Sequence, residues 1–446
     1  MVIERQNKDG YLENDQAREA IAEFFAQNDY AGKRILVLIP DNTRSGPVGD
    51  IFKIIYGCLE QKAKAVDCLA ALGTHQPMTQ EQICTRLAMT EDERKNKYAS
   101  VKLFNHEWEK PETFTSIGKI SADEIHRISG GLFREEVGIT INKLIFDYDE
   151  IFILGPVFPH EVVGFSGGNK YIFPGIAGDE IINFFHWLSA VVTNPVINGN
   201  KWTPPRQVVE KAASFIKMPR KLFAIVAVEN MLKGIFIGDC TEAWEKAADL
   251  SRDVHIIYKD KPYKTILGQT AKMYEDIWTA GKVMYKLEPI LADGGEDDVG
   301  PGLFDAVDVC ADAFNVCRMR YRCPRDTGKF VHSLKEIIAR MIADFIDNFA
   351  VCIGNLRNMR SIDNQCSAVG EYRFELVHHL AGRPDVLATG ISRERCRRVN
   401  LGYMNPDQID IANYENKEEK GILVVHNAGE ILYRLSDGHI PTIPNQ

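Results

Sequence analysis

The chain has 446 residues, of which 45% are hydrophobic and 26% charged, and its formal net charge is −9 with a pI near 5.7. This globular composition argues against nucleic acid as a partner, because a phosphate backbone requires a basic binding face. No apolar run approaches the roughly 20 residues that span a bilayer, and the N-terminus lacks the apolar core of a signal peptide. We therefore expect a cytoplasmic protein without a membrane partner, and its length predicts two domains.

The first third of the chain alternates β-branched runs with helical patterns. Thr79 is a candidate N-cap, and Gln82 stands three residues later, as a capping box requires. Strand, polar loop and helix, repeated, are typical of a parallel sheet in an α/β fold. The pattern predicts strands at residues 34–40, 65–72 and 101–105 and helices at 48–59 and 78–87.

Charged and polar side chains follow the predicted strands. Because the carboxyl ends of parallel strands lie at one edge of a sheet, where ligands collect, we expect these side chains to be close together. The side chains that follow successive strands are Asp41, Thr43 and Arg44, then His75, then His106 and later His160.

The middle of the chain continues the same alternation, and the composition shifts near residue 260. We place a domain boundary there, between an N-terminal catalytic and cofactor-tethering domain (1–260) and a C-terminal α/β domain (261–409). The tail, 410–446, is expected to pack back on the first domain. The predicted strands are 137–141, 151–155, 221–229, 254–258, 265–267 and 287–292, and the predicted helices are 180–192, 206–216, 243–250 and 274–286.

A glycine-rich loop follows the strand predicted at 151–155. It has the sequence PHEVVGFSGGNK, in which Gly167 and Gly168 remove side chains from the backbone so that its N–H groups can approach an anion. His160 precedes the glycines, Lys170 follows them, and His186 stands 16 residues beyond the lysine. Taken singly, a Gly-Gly pair is typical of an ordinary turn and a lone histidine of a structural residue. The spacing fits neither a Walker loop nor the dinucleotide fingerprint, so the pattern alone predicts an anion site with a lysine and two histidines nearby.

Ten cysteines are spread over the chain without a C-x-x-C pair, which favours free thiols in a reducing compartment. Cys310, Cys317 and Cys323 are the only close group. A structural metal site there is the less favoured alternative.

Taken together, these motifs resemble the lactate racemase family, whose enzymes use a nickel-pincer nucleotide. His160, Lys170 and His186 recur with the family's spacing of ten and sixteen residues. The resemblance covers about residues 30–295 and resumes at 387–405 and in the tail. It implies two α/β domains with mainly parallel sheets and an active site in the cleft between them. The segments that carry it are Asp41-x-Thr43-Arg44, Gly73-Thr74-His75, the run PHEVVGFSGGNKYIFPGIAG and His186.

The resemblance also implies a role for each matching residue. Lys170 is similar to the lysine that carries the cofactor, a pyridinium-3-thioamide-5-thiocarboxylic acid mononucleotide, and His186 is similar to the protein ligand of its nickel. His75 and His160 resemble the paired acid–base residues, and Arg44 the residue that binds the substrate carboxylate. Further positions implied at the substrate are Lys282, Trp278 and Thr279, and further positions implied at the cofactor are Asp41, Thr43, Ser166, Gly167 and Gly168.

The implied reaction inverts C2 of a 2-hydroxy acid by reversible hydride transfer, with two histidines that each titrate near neutrality. The expected partners are a small-molecule 2-hydroxy acid and the proteins that synthesise the cofactor. Trp278 and Thr279 replace the family's usual Tyr-Gln, so both a small acid such as lactate and a sugar acid such as gluconate stay open as substrates. Residues 296–385 hardly resemble the family, which leaves a non-catalytic member that binds a nucleotide or an acid ligand as the alternative.

Overall fold

The computed structural model describes residues 1–263, 265–270, 282–290, 315–319, 387–388, 402–403 and 415–438. The predicted site residues Trp278 and Thr279 and the divergent segment 296–385, apart from 315–319, lie outside this part of the chain. Within residues 1–260 the strands are β1 (Ile3–Gln6), β2 (Arg34–Ile39), β3 (Ala65–Ala70), β4 (Leu103–Asn105), β5 (Phe114–Ile120), β6 (Val137–Asn142), β7 (Glu150–Pro156), β8 (Pro159–His160), β9 (Gly164–Phe165), β10 (Arg220–Val228), β11 (Met231–Gly238) and β12 (Ile256–Lys259).

Helices connect these strands and cover both faces of the sheet that they form. Their ends follow local chemistry: Thr79 Oγ1 accepts from Gln82 N at 3.1 Å and Gln82 Oε1 accepts from Thr79 N at 2.8 Å, which confirms the predicted capping box. The helices are α1 (Asn14–Ala26), α2 (Val48–Leu59), α3 (Gln80–Arg86), α4 (Glu91–Lys95), α5 (Ala122–Ile128), α6 (Asp179–Val192), α7 (Asn194–Ile197), α8 (Pro204–Ala213) and α9 (Cys240–His255).

A seven-stranded sheet in the order β1-β11-β10-β7-β2-β3-β4 organises this part of the chain. Neighbours from β10 to β4 pair in parallel, whereas β11 pairs antiparallel with both β10 and β1. The prediction of an α/β fold with a mainly parallel sheet is confirmed. The antiparallel edge of the sheet was not predicted. It arises because β11 follows β10 through a tight turn at Glu229 and Asn230, both with positive φ, and a turn of this kind joins antiparallel strands.

The central strands are largely apolar because both of their faces are buried. In β2, Leu36 and Leu38 belong to one core cluster, whereas Ile35, Val37 and Ile39 belong to the other. Side chains alternate across a strand, so a continuous apolar run is what a sheet covered on both sides requires. Helices α6, α8 and α9 contribute to the first cluster, and α1, α2 and α3 to the second.

Adjacency of β7, β2 and β3 determines where the predicted site residues meet. Ile39 lies opposite Ala70, and Leu38 lies opposite Ile153, so the three strands end at the same edge of the sheet. The loops that follow β2, β3 and β7 carry Asp41 and Arg44, His75, and His160 respectively. The expected collection of these side chains at one sheet edge is confirmed.

The rest of the described chain adds a second sheet and a short helix. The predicted strand 287–292 is wrong over residues 287–290, because Leu287 ends a helix and Glu288–Ile290 form a turn of 3₁₀-helix. Short apolar runs do not distinguish strand from helix by pattern alone. The elements are β13 (Thr265–Thr270), α10 (Lys282–Leu287), β14 (Asn315–Met319), β15 (Leu387–Ala388), β16 (Gly402–Tyr403), β17 (Ile422–Ala428) and β18 (Leu432–Leu435).

The C-terminal tail takes part in two sheets. Strand β17 pairs in parallel with β13 in a sheet of order β16-β15-β14-β13-β17, and β18 pairs in parallel with β12. The turn between β17 and β18 is thereby held from both sides. None of the helices in the described ranges is long and apolar enough to cross a bilayer.

Candidate active site

A cavity of about 130 Å³ lies at the carboxyl edge of β2, β3 and β7. Thr43 and Gly168 adjoin the residues that line it without lining it themselves, and Trp278 and Thr279 lie outside the described residues. Of the residues predicted from the sequence, the cavity is lined by Asp41, Arg44, His75, His160, Ser166, Gly167, Lys170, His186 and Lys282.

His75 is oriented by the loop that follows β2. Its Nδ1 donates a hydrogen bond to Oδ2 of Asp41, while Oδ1 of Asp41 accepts from the Thr43 hydroxyl at 2.7 Å and from Thr43 N at 3.0 Å. Burial raises the pKa of Asp41, but His75, Arg44 and Thr43 together outweigh it and hold this pKa well below its usual range. The charged carboxylate keeps the His75 proton on Nδ1 and therefore the ring lone pair on Nε2.

Arg44 belongs to the same network. Its Nη1 donates to Oγ1 of Thr43 at 2.6 Å and to the Thr43 carbonyl at 3.0 Å, and its guanidinium lies over the ring of Phe158 at 5.6 Å. The Thr43 hydroxyl thus joins the cation to Asp41, which in turn holds His75. A guanidinium fixed in this way is suited to binding a carboxylate.

His160 is held in the opposite way. Its Nδ1 accepts a hydrogen bond from Val162 N at 3.0 Å, so in the neutral ring the proton is on Nε2. Burial, followed by the charges of Lys170, Lys282, Arg44 and Lys286, lowers the pKa of His160 well below its usual value. The expectation that both histidines titrate near neutrality is therefore wrong for His160 in the chain without a cofactor.

The glycines before Lys170 are required by close packing within the protein. Gly167 and Gly168 have positive φ, and a Cβ on Gly168 would lie 2.8 Å from Nη2 of Arg206 and 3.0 Å from Trp244. Arg206 is fully buried, donates to the Gly167 carbonyl at 3.0 Å and lies 3.5 Å from the Trp244 ring. The space that glycine leaves at 168 is occupied by these side chains, whereas Gly167 lines the cavity.

Lys170 projects from this rigid turn into the cavity. The neighbouring Asn169 donates to Oε2 of Glu210 at 2.6 Å, and Glu210 also forms an ion pair with Arg206 at 2.8 Å. Burial and the charges of Arg44 and Lys282 lower the pKa of Lys170 to about 7. A substantial fraction of this amine is therefore uncharged and nucleophilic at neutral pH.

His186 reaches the same cavity from α6. Its Nδ1 donates to the Ile182 carbonyl at 2.7 Å, one turn earlier in the helix, which puts the ring lone pair on Nε2. Burial is the main reason why the pKa of His186 is lowered to about 4, so the imidazole is neutral at pH 7. Metal-binding histidines commonly donate their other N–H to a carbonyl in this way.

Two ionisable residues at or beside the cavity were not predicted from the sequence. Glu161 lines the cavity and is partly buried, and its Oε2 lies 3.7 Å from Nδ1 of His160. Burial raises the pKa of Glu161, but Lys282 and Lys286 lower it by more, so it carries a charge. Lys286 is buried and donates to the Pro159 carbonyl and, at 3.3 Å, to Asn198 Oδ1. The sequence could have indicated Lys286, because it stands four residues after Lys282 and therefore lies on the same helix face.

Two residues singled out in the sequence have structural contacts. The Ser166 hydroxyl donates to the Pro156 carbonyl at 3.2 Å and accepts from Phe158 N at 3.0 Å. His106 is fully buried between Asn142 and the Ala177 carbonyl and does not line the cavity.

Comparisons with known proteins identify chains that are similar to this one. Residues 11–197 match the family model for the lactate racemase N-terminal domain. The lactate racemase of Thermoanaerobacterium thermosaccharolyticum is 25% identical over 272 residues, which are 59% of this chain and 58% of that protein. That of Lactiplantibacillus plantarum is 25% identical over 230 residues, 50% of this chain and 49% of that protein. The matched region thus spans only about half the length of these relatives.

Solved structures extend the similarity of fold. A crystal structure of a protein from Thermotoga maritima is 25% identical and has a TM-score of 0.72, covering 97% of this chain and all of that one. The lactate racemase apoprotein from Thermoanaerobacterium thermosaccharolyticum has a TM-score of 0.57 at 17% identity, covering 94% of this chain and 93% of that one. The second match shows the fold alone.

Proposed function

Because residues 11–197 match the family model for the lactate racemase N-terminal domain, we propose that the protein is a racemase or epimerase that inverts C2 of a 2-hydroxy acid. Its cofactor in this proposal is a nickel-pincer nucleotide joined to Lys170, made by dedicated cofactor-synthesis proteins. When bound, this group supplies the hydride acceptor for the reaction. The substrate is a small hydroxy acid such as lactate or a sugar acid such as gluconate.

One observation carries the proposal: Lys170 and His186 line the same cavity as His75 and His160. The donor chemistry of the first two fits the cofactor. Lys170, with a pKa lowered to about 7 by burial and nearby cations, is a nucleophilic amine suited to forming a thioamide. His186 is neutral and keeps its lone pair on Nε2, and a neutral imidazole with soft sulfur donors suits square-planar nickel.

The substrate in this proposal is held by its carboxylate. Arg44 binds it through a guanidinium that Thr43 orients, and Lys282, which is buried beside the cavity, adds a second positive charge. The carboxylate of Glu161 limits the net positive charge of the cavity. These contacts hold C2 and its hydroxyl in a fixed direction relative to the two histidines.

The two histidines begin the reaction as neutral rings in different tautomers. His75 has its lone pair on Nε2 and accepts the hydroxyl proton there, and Asp41 stabilises the resulting imidazolium. His160 has its proton on Nε2 and faces the oxygen of the planar keto acid when that acid presents its other face. In this proposal it gives that proton to the re-forming hydroxyl, and the proton that His75 took replaces it, so that both rings end neutral. One imidazole on each side of C2 allows inversion without net oxidation.

Intact-mass and metal analysis test the cofactor site directly. We expect the chain, co-expressed with cofactor-synthesis proteins, to carry nickel and a mass adduct that maps to Lys170. Lys170→Ala should remove the adduct, whereas Lys211→Ala, which changes a surface lysine paired with Glu124, should keep it. His186→Ala should keep the adduct but lose nickel.

Chiral chromatography tests the activity. The loaded enzyme should convert one stereoisomer of a 2-hydroxy acid into the other, in a panel that includes lactate and gluconate. A fully loaded chain that inverts none of these acids would overturn the proposed reaction and favour a non-catalytic binding protein. A chain that acquires neither adduct nor nickel after co-expression would overturn the cofactor assignment as well.

A further inference from the structure

The C-terminal tail contacts the loop that carries Arg44. Glu430, in the turn between β17 and β18, accepts a hydrogen bond from Ser45 N at 3.1 Å through Oε1 and another from the Ser45 hydroxyl through Oε2. Ser45 directly follows Arg44, and 385 residues separate it from Glu430. Both carboxylate oxygens therefore hold the residue next to the cation.

The loop is held at further points that the N-terminal part of the chain supplies. Asp41 is bound by His75, and Gly46 N donates to Oδ1 of Asn230 at 2.7 Å. Glu430 adds a contact that comes from the tail. Because its turn lies between β17, which pairs with β13, and β18, which pairs with β12, the carboxylate is tied to both sheets.

The charge of Glu430 also acts on the groups around the site. Burial lowers the pKa of Arg86 and of Lys286, and the charge of Glu430 opposes both shifts. A carboxylate that accepts two hydrogen bonds forms stronger contacts than a neutral acceptor would. Glu430 therefore acts on this part of the molecule both through hydrogen bonds and through its charge.

We propose that Glu430 is a positioning residue for Arg44, so that carboxylate binding at the site depends on docking of the C-terminal tail. The inference has two parts. That Arg44 binds the substrate carboxylate rests on the proposed function, whereas that Glu430 holds the Arg44 loop rests on the hydrogen bonds to Ser45. Arg44 would bind a substrate carboxylate well only while the Glu430 side chain fixes the backbone that follows it. Loss of this contact would loosen the loop without removing any group that touches the substrate.

Amide hydrogen exchange of the chain without cofactor tests the structural half. Glu430→Ala should speed exchange at the Ser45 amide by about tenfold or more, because a hydrogen bond to a charged acceptor is lost. The Gly46 amide, held by Asn230, should change less and serves as an internal reference. Glu430→Gln, which keeps one acceptor oxygen, should fall between wild type and Glu430→Ala.

The matched control is Glu418→Ala. Glu418 is another carboxylate of the tail, but it accepts from Tyr263 at 2.8 Å and from Lys259 at 3.3 Å and does not touch the Arg44 loop. It should leave exchange at Ser45 unchanged. This variant separates the specific contact from general weakening of the tail.

Steady-state kinetics of the cofactor-loaded enzyme test the link to substrate binding. Glu430→Ala should raise KM for the hydroxy acid by about tenfold and change kcat less, because a misplaced Arg44 weakens carboxylate binding. Equal Ser45 exchange in Glu430→Ala and Glu418→Ala would overturn the inference, and so would faster exchange with unchanged KM. If the loaded wild type inverts no hydroxy acid, the proposed function fails, and the exchange comparison alone then decides whether Glu430 holds the loop.

Discussion

Nδ1 of His75 donates a hydrogen bond to Oδ2 of Asp41, at the ends of two neighbouring parallel strands. This pair decides which ring nitrogen of His75 can accept a proton. Its geometry is that of a base held in one tautomer by a buried carboxylate. The pair follows directly from the register of β2 and β3, because each strand ends a few residues before one partner.

Replacing the carboxylate tests this pair. We expect Asp41→Asn to lower kcat by roughly 10²- to 10⁴-fold, because the amide no longer enforces the Nδ1 tautomer or stabilises the imidazolium. Ring ¹⁵N NMR of the chain without cofactor should show that the Nδ1–H form of His75 is less populated. Asp149→Asn is the matched control, since Asp149 binds Arg34 N at the opposite edge of the sheet. Unchanged kcat and unchanged ring shifts in Asp41→Asn would contradict the assignment.

The charge of Lys170 controls the protonation of His160. After burial, Lys170 is the largest cause of the lowered His160 pKa. Lys170→Met removes that charge, so we expect the pKa of His160 to rise in an NMR titration of the histidine rings. Lys211→Met changes a lysine that does not line the cavity and should leave this pKa unchanged. A His160 pKa that stays the same or falls in Lys170→Met would show that the two residues are not coupled. If the rise is seen, a group joined to the Lys170 amine should also raise the pKa of His160, because it removes the same positive charge.

The buried His106 should make the folded protein less stable as the pH is lowered. Burial lowers the pKa of His106 to about 4 in the folded chain, against about 6.5 when unfolded, so the unfolded chain binds more protons between these values. The free energy of unfolding is expected to decrease as pH falls from about 6.5 to 4, with His106 contributing no more than about 3 kcal/mol. Urea unfolding across this range measures it.

His106→Gln identifies the His106 contribution. Glutamine can donate to the Ala177 carbonyl but does not titrate, so the pH dependence should become shallower. His126→Gln, on the exposed side of α5, should keep the slope of the wild type. Identical slopes in all three proteins would contradict the prediction.

The need for glycine at position 168 can be tested by comparing it with Gly130, which has a similar φ. Gly168 (φ +60°) and Gly130 (φ +64°) both pay the strain of a left-handed conformation when replaced by alanine, but only at Gly168 would the new Cβ meet Arg206 and Trp244. We expect Gly168→Ala to lose about 1–3 kcal/mol more free energy of unfolding than Gly130→Ala. Cofactor attachment at Lys170 should also decrease, which intact mass measures. Equal losses in the two variants would show that the turn has room to adjust.

The sequence by itself determined the features that depend on neighbouring residues. Continuous apolar runs predicted the buried strands of the parallel sheet, Thr79 and Gln82 predicted a capping box, and strand-end polar residues predicted a shared edge. The resemblance to the lactate racemase family supplied the grouping of His160, Lys170 and His186. These signals are local because side-chain periodicity and turn chemistry act over a few residues.

Only the tertiary structure decided the tautomers and pKa values of the site residues and their long-range contacts. The proton of His75 is on Nδ1 because of Asp41, whereas that of His160 is on Nε2 because a backbone N–H occupies its Nδ1. The lowered pKa of Lys170 and the contact between Glu430 and Ser45 depend on groups far apart in the chain. Burial and electrostatic interaction act through space, so these properties exist only once the chain has folded and brought the partners together.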